Sequence, residues 1–581
     1  MTTMAQGARR GTSLIDLLVS MAIVAVLFGG IYLIYFSIIT SIANISVRTA
    51  AATAINAEIE TIRNLPYDSV GTVSGIPPGI IPQTQAVSVG NYSFTLQTTV
   101  RNIDDPFDGT VSGNPAPVDT APADYKLVEV RATCPLCTNF VAVTITATVA
   151  PKSLESATQN GSLFLFALDA NGNGVAGATM HVVNASVTPS IDLTDTTNAS
   201  GVLQLVGVPT STEGYQIFAS KAGYSADQTY PTGGASNPNP VKPNATVAAQ
   251  TVTSVTLSID RTSALSIHSS DGLCAPVGNI PFTMNGAKLI GTAPDILKTS
   301  LATSTDASGF LALPSVEWDT YALALSGGSS DLLGTIPLSP LAVNPSSTAD
   351  FRFVVRPAAD PALLVTAVDS ISGAGVPGAS VTAAAGAFSE TLAAGHAFVS
   401  QSDWSGGQFS SQSGGVNTSV AGKIMLLINA SGTYNVNTND WLISNTIDLG
   451  GASTTFYGIA WTPSSEPAGT SVQFQVAANN DNATWNFVTV SPGPLPALLS
   501  GNRYLRYRVF LNTTDENATP EIDGVTFEFS GNCVPPYQAL FTGLAQGTYA
   551  VTVTAPNYAD GSSTAAVGPG ESFANIPLTH L

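Results

Sequence analysis

Residues 9–47 read RRGTSLIDLLVSMAIVAVLFGGIYLIYFSIITSIANISV, and their charge pattern decides how the chain is built. Arg9, Arg10 and Gly11 precede Thr12 and Ser13, a lone acid stands at Asp16, and no charge follows from Leu17 to Val47. As an α-helix at 1.5 Å per residue these 31 residues run about 46 Å, against roughly 30 Å for the hydrocarbon core of a bilayer. The helix must therefore protrude. Its continuation, residues 48–64, places Ile55, Ile59 and Ile62 at spacings of four and three with Glu58, Glu60 and Arg63 off that stripe, and Pro66 stops it. A secretory signal peptide has an apolar core of about 7–15 residues before a small-residue cleavage site. Ser41-Ile42-Ala43 supplies small residues, but the run is about twice too long. A carboxylate at the head of an apolar run costs about 3 kcal/mol unless paired, which marks Asp16 as functional.

Beyond this segment the composition points to a modular β-protein. At 581 residues the chain is too long for one core and suits about three to five domains. Charged residues are only 10% of it, Gly (52) and Pro (37) are abundant, and hydrophobics reach 44%, a balance suited to short strands and tight turns. With 19 Lys plus Arg against 39 Asp plus Glu the net charge is −20, so nucleic acid is not expected as a partner. The four histidines are scattered, and there is no HExxH, GxSxG or Gly-rich phosphate loop, so no enzyme, metal or cofactor is expected.

The order of basic leader, Gly11, apolar helix and an acid five positions past the glycine resembles the class III signal of type IV pilins and pseudopilins. The resemblance implies that prepilin peptidase cuts between Gly11 and Thr12 on the cytoplasmic side and that the new N-terminus is methylated. It also implies that Asp16 meets the freed α-amino group of a neighbouring subunit's Thr12, since an ammonium is what a buried carboxylate lacks. Thr12 stands where the family usually has Phe, and Asp16 where it usually has Glu; both alternatives occur among minor pilins. A single pass through the cytoplasmic membrane, N-terminus inside, then precedes assembly with other pilin subunits and display at the cell surface. After Pro66, residues 87–100, 124–134 and 137–149 alternate as three strands, giving the pilin layout of a long helix and a small antiparallel sheet. Cys134-Pro-Leu-Cys137 lies at the turn between the last two; without a second CxxC it reads as a local disulfide or two free thiols.

From residue 161 a pattern recurs: GSLFLFALDANGNGVAGATMHV (161–182), ALSIHSSDGLCAPVGNIPFTM (264–284) and LLVTAVDSISGAGVPGASVTA (363–383), each a strand, an Asp turn and a second strand. A Gly turn before an apolar strand and a Gly-Tyr or Thr-Tyr strand complete the first two copies, whereas the closing elements of the third appear only at 539–559. This strand grammar resembles the carboxypeptidase-regulatory-like or Cna protein B-type sandwich, mostly a rigid spacer in surface proteins. Some such domains carry a Lys–Asn isopeptide bond; none is expected here, because no Lys lies in the first strand of any copy.

The interruption implies a domain set into a loop of the third copy. Its strands read as a jelly roll, similar to the discoidin or galactose-binding-like class. It holds four of the five Trp (404, 441, 461, 485) and the cluster Arg503, Arg506, Arg508. Trp404, Trp441, Arg506 and Arg508 are the candidates for contact with a surface glycan, while Trp461 and Trp485 fit core packing. Period two puts Arg506 and Arg508 on one strand face and Tyr507 and Val509 on the other. Glycosidase acids could come from Asp440, Asp448, Asp481, Asp515, Glu516 or Asp523, with nothing to choose a pair. Cys274 and Cys533, each near a turn, are candidates for a bridge across 259 positions in an oxidising exterior.

The expected fold is thus an N-terminal long α-helix with a small antiparallel sheet, followed by all-β tandem sandwiches with an inserted jelly-roll-like domain. The expected divisions are a leader (1–11), the helix (12–65), a pilin-like β-domain (66–152), sandwich copies (160–260, 261–356, and 357–400 plus 532–581) and the insert (401–531). A large minor pilin or pseudopilin displaying its β-domains for adhesion is the leading functional expectation. A permanently membrane-anchored adhesin or receptor is the alternative.

Overall fold

A computed structural model of the chain describes residues 14–107, 109–111, 113, 116–137, 140–151, 159–358 and 361–581. Its contacts form two compact units, Met1–Asp260 with Ile290–Asp295, and Arg261–Leu289 with Ile296–Leu581. The first begins with one helix, α1 (Leu14–Arg63), followed by a four-stranded antiparallel sheet: β1 (Thr84–Val89), β2 (Tyr92–Ile103), β3 (Tyr125–Thr133) and β4 (Val143–Val149), in sequence order. The stretch 87–100, read as one strand, is a hairpin. Val89 pairs with Tyr92, and Gly90 takes φ 58° at the first of the two turn residues, a conformation open to glycine. The apolar positions change from odd (Val87, Val89) to even (Tyr92, Phe94) across Gly90–Asn91, a slip of phase that marks the turn inside the run.

The second half of α1 is a core element. Val47, Ala51, Ala54, Ile55, Ile59 and Ile62 are buried against Phe94, Leu96, Val100, Val128, Val130 and Ala132. Three buried isoleucines contribute about 1.5–3 kcal/mol each, so this half is fixed by packing. The adjoining sandwich copy is locked to the sheet by a two-pronged ion pair from Arg101 to the buried Asp195, and by Asn102, whose amide donates to the Val206 carbonyl at 2.9 Å.

The three copies share one topology. In each, the first and last strands lie side by side and parallel: Gly161–Leu168 with Val252–Ser258, Ser263–Ser270 with Thr348–Pro357, and Ala362–Asp369 with Glu571–Leu578. The chain therefore enters each copy at one pole and leaves at the other. The first strand ends on an aspartate whose carboxylate accepts backbone N–H groups of the following turn. Asp169 takes Asn171 and Asn173, Asp271 takes Leu273 and Ala275, and Asp369 takes Ile371 and Ser372. A buried tyrosine in each facing sheet donates its hydroxyl to an upstream carbonyl: Tyr215 to Pro209, Tyr321 to Glu317, Tyr549 to Ala545.

Strand equivalence shows where the third copy is opened. In copy one, Thr197–Gly201 joins Ile191–Thr196 to Val202–Val208; in copy two, Thr305–Gly309 joins Ser300–Ser304 to Phe310–Val316. In copy three the same crossing, from Phe388–Ala393 to Gln538–Phe541, is made through the insert. The insert's first strand is Ala397–Gln401, paired with Gly524–Ser530, so its sheet starts a few residues before 401. That sheet, continued by Thr455–Thr462 and Gly493–Pro494, faces a second built of Phe409–Gln412, Asp440–Ser444, Tyr504–Thr513, Thr470–Asn479 and Val488–Val490. Trp404, Phe474, Tyr507, Phe527 and Phe529 close the core between them.

Candidate functional site

Among the described residues, two places present chemistry that packing does not use. The first is the apolar half of α1. From Leu17 to Ile45 its side chains are exposed, including Phe28, Ile31, Leu33 and Phe36 at more than half of their surface. Ser20 and Thr40 donate their hydroxyls to carbonyls one turn back, so these polar groups are satisfied within the helix. The helix is long and apolar enough to cross a membrane. Gly11 and Thr12 lie outside the described residues, as does the Asp16 side chain, although Asp16 is within α1.

The second is the outer face of the insert's larger sheet, where strand Tyr504–Thr513 alternates strictly: Leu505, Tyr507, Val509 and Leu511 are buried, and Tyr504, Arg506, Arg508 and Phe510 face outward. Arg506 lies over the Trp485 ring (4.5 Å), and its Nε donates to the Thr446 hydroxyl at 2.9 Å. Arg508 lies among Phe487 (4.3 Å), Phe510 (5.8 Å) and Trp441 (6.0 Å). Trp441, Arg506 and Arg508 thus come together.

Trp404 does not join them. It is fully buried on the opposite side of the sheet, its indole N–H donating to the Tyr507 hydroxyl at 2.6 Å, which removes it from the ligand candidates. Trp485 is corrected in the other direction. It sits in the irregular segment before Val488–Val490, so no strand alternation turns it inward, and it stands on the outer face with Arg506. Trp461 stacks on Phe474 at the core margin. Phe487 and Phe510 belong to the outer face without having been singled out in the sequence; Phe510 was legible, two residues beyond Arg508 in the same alternation. The acids considered for glycoside chemistry have local partners: Asp448 holds Arg503, Asp440 accepts the Ser413 hydroxyl, Asp481 and Asp515 cap turns, and Asp523 faces Lys423. Glu516 gives its backbone carbonyl to Tyr434.

Where copies two and three meet the insert, Cys274 and Cys533 are joined in a disulfide with Cα atoms 5.3 Å apart, and Cys134 and Cys137 form another at the same separation. Gly450, at φ 76°, approaches the Cys274–Cys533 bridge so closely that a Cβ there would overlap the Cys274 side chain. A cavity of about 450 Å³ opens beside it, lined by Leu273, Arg356, His396, Phe398, Phe529 and Cys533. Nearby, burial pushes the Glu571 carboxyl up to about 7, with Asp331 adding to the effect; its Oε2 accepts the Leu332 N–H at 2.8 Å.

No protein-family model matches the chain, and no curated protein matches it. Among solved structures, the Bacillus anthracis TIE protein aligns over 86% of this chain and 73% of its own, at 12% identity and a TM-score of 0.16. The Streptococcal ancillary pilin aligns over 39% of this chain and 75% of its own, at 12% identity and 0.18. GBS52, the minor pilin of Streptococcus agalactiae, aligns over 34% and 98%, at 13% identity and 0.16. Scores of this size carry no argument about function.

Proposed function

We propose that the chain is a large minor subunit of a type IV pilus-like filament, with the apolar half of α1 packed among the helices of other pilin subunits and the β-modules displayed outside for surface or ligand contact. The observation that carries this reading is the division of one continuous helix. From Val47 onward α1 is built into the core of a sheet domain, and before Val47 it is apolar and exposed. Such a helix requires an apolar partner outside the chain, first the cytoplasmic membrane and then neighbouring subunits. The residues assigned to processing by prepilin peptidase are Gly11, Thr12 and Asp16, in the order the leader gives them. A permanently membrane-anchored adhesin or receptor would use the same helix without a filament.

N-terminal sequencing of the mature protein separates the two. A start at Thr12, methylated, is expected for the pilin reading, and Gly11→Trp should leave the precursor uncut. A mature start at Met1 overturns it. Asp16→Ala should still be processed yet enter filaments less well, and wild-type assembly of that variant would remove the proposed pairing with the Thr12 amine.

A further inference from the structure

Three arginines follow one another in the insert, Arg503 just before strand Tyr504–Thr513 and Arg506 and Arg508 within it, and their partners diminish in order. Arg503 makes a two-pronged ion pair with Asp448, at 2.8 and 2.9 Å. Arg506 has the Thr446 hydroxyl and a longer contact of 3.4 Å to the Ser410 hydroxyl, but no carboxylate. Arg508 has neither hydrogen bond nor ion pair among the described residues. Its Nε is buried without an acceptor, and three aromatic rings surround its guanidinium. In a chain with 39 acids against 19 Lys plus Arg, leaving a guanidinium unpaired is not forced by any shortage of carboxylates. Buried polar groups are normally satisfied, and one that is not calls for an explanation.

We propose that this face binds a carboxylated pyranose, a uronic- or sialic-type acid sugar, with the carboxylate on the Arg508 fork and the sugar ring against Trp441 or Trp485. This deepens, and rests on, the reading of the insert as a displayed contact domain. Three features select this ligand class. A guanidinium packed against rings is held flat, and its planar fork matches a carboxylate with two parallel N–H···O bonds. Trp441 and Trp485 are half-buried and flank the two arginines, giving apolar surfaces on which the C–H face of a sugar can lie while hydroxyls reach Gln473 and Gln475 of the neighbouring strand. Arg506 and Arg508 are about 7 Å apart along the strand, the scale of a single sugar ring. The net charge of −20 disfavours a dense polyanion such as nucleic acid, so one isolated carboxylate on a largely neutral glycan is the better complement.

The test uses the full chain in detergent micelles and matched probes: sialyllactose against lactose, galacturonate against galactose, and a hexaglutamate peptide. Expected is binding of an acid sugar at least tenfold tighter than its neutral twin, and tighter than the peptide. At least tenfold of that affinity should be lost in Arg508→Gln and in Trp485→Ala. Arg508→Lys, which keeps the charge and loses the fork, should lose most of it too. Hydrogen exchange across residues 504–513 confirms that each variant is folded. Equal binding of acid and neutral sugars overturns the inference while leaving the insert a contact domain. So does binding of hexaglutamate as tight as the sugars, or full affinity in folded Arg508→Gln. If no probe binds, the inference fails; attachment of whole cells then decides the underlying reading, which also fails if deleting residues 402–523 leaves attachment unchanged.

Discussion

Among the described residues, the core of the third sandwich copy includes six alanines (Ala367, Ala379, Ala383, Ala394, Ala539 and Ala565) beside its valines and leucines and only two buried aromatics, Phe541 and Tyr549, whereas the domain set into it is centred on Trp404, Phe456, Phe474, Tyr507, Phe527 and Phe529. At about 0.8 kcal/mol per buried methylene, the host's smaller side chains gain less from its interior than the guest's aromatics do. The host is held in addition by bonds to its surroundings: the bridge from Cys533 to Cys274, and Gln538, whose side-chain Oε1 accepts the Thr335 N–H of copy two at 2.8 Å. A domain stabilised by its own core is free to display unpaired groups on its surface. One stabilised by its neighbours is not.

Cutting the covalent support should separate host from guest most sharply. Replacing Cys274 and Cys533 together by Ser is expected to destabilise copy three by about 4 kcal/mol. Hydrogen exchange should accelerate in 362–369 and 571–578 and hardly change in 504–513. Equal loss of protection in the insert would break the comparison. The reverse experiment is Trp404→Phe, which removes core volume and the hydrogen bond to Tyr507. It should cost the insert about 2 kcal/mol, read as its unfolding midpoint in urea, and leave the strands of copy three protected.

A smaller effect tests the host's contact with copy two through pH. The Glu571 carboxyl titrates near 7 when folded, above its ordinary 4.5, so the unfolded chain gives up the proton first. Stability from this group is intact below about pH 4, falls as pH rises towards 7, and is level above. Glu571→Gln, which keeps an acceptor for the Leu332 N–H, should remove that falling limb. It should gain about 1–2 kcal/mol at pH 8, discounted because the residue is partly exposed, and almost nothing at pH 4. A variant that follows wild type at both pH values would show that the carboxyl is already ionised in the fold. Smallest of all, Arg508→Gln should change insert stability by no more than about 1 kcal/mol, since contacts with the Phe487, Phe510 and Trp441 rings are lost but no hydrogen bond or ion pair. A midpoint shift well beyond that would make Arg508 structural.

The helix, the repeat pattern and the opening of copy three were legible because each rests on a local signal: absence of charge from 17 to 47, an Asp turn after each first strand, and a missing return segment. The hairpin at Gly90–Asn91 was missed although the apolar positions change from odd (Val87, Val89) to even (Tyr92, Phe94) across it, a slip of phase that a single strand does not show. The insert's outer face was half legible. Period two placed Arg506 and Arg508 together, but which tryptophans join them depends on how loops fold back over the sheet. Trp404, in a loop, turned inward, and Trp485, in another, turned outward; composition cannot distinguish these cases.

The Cys274–Cys533 bridge also sets the path of mechanical load. A pull on the insert, resisted at α1, reaches Cys533 just beyond the insert's last strand and crosses to Cys274, leaving copy three and most of copy two slack. Within copy one the same pull drags two parallel neighbours, Gly161–Leu168 and Val252–Ser258, in opposite directions along their length. Their ladder is sheared with its hydrogen bonds loaded together, not peeled one at a time. In a single-molecule experiment pulling on the insert, the oxidised chain should therefore extend less than the reduced one, because the stretch from Cys274 to the insert is bypassed.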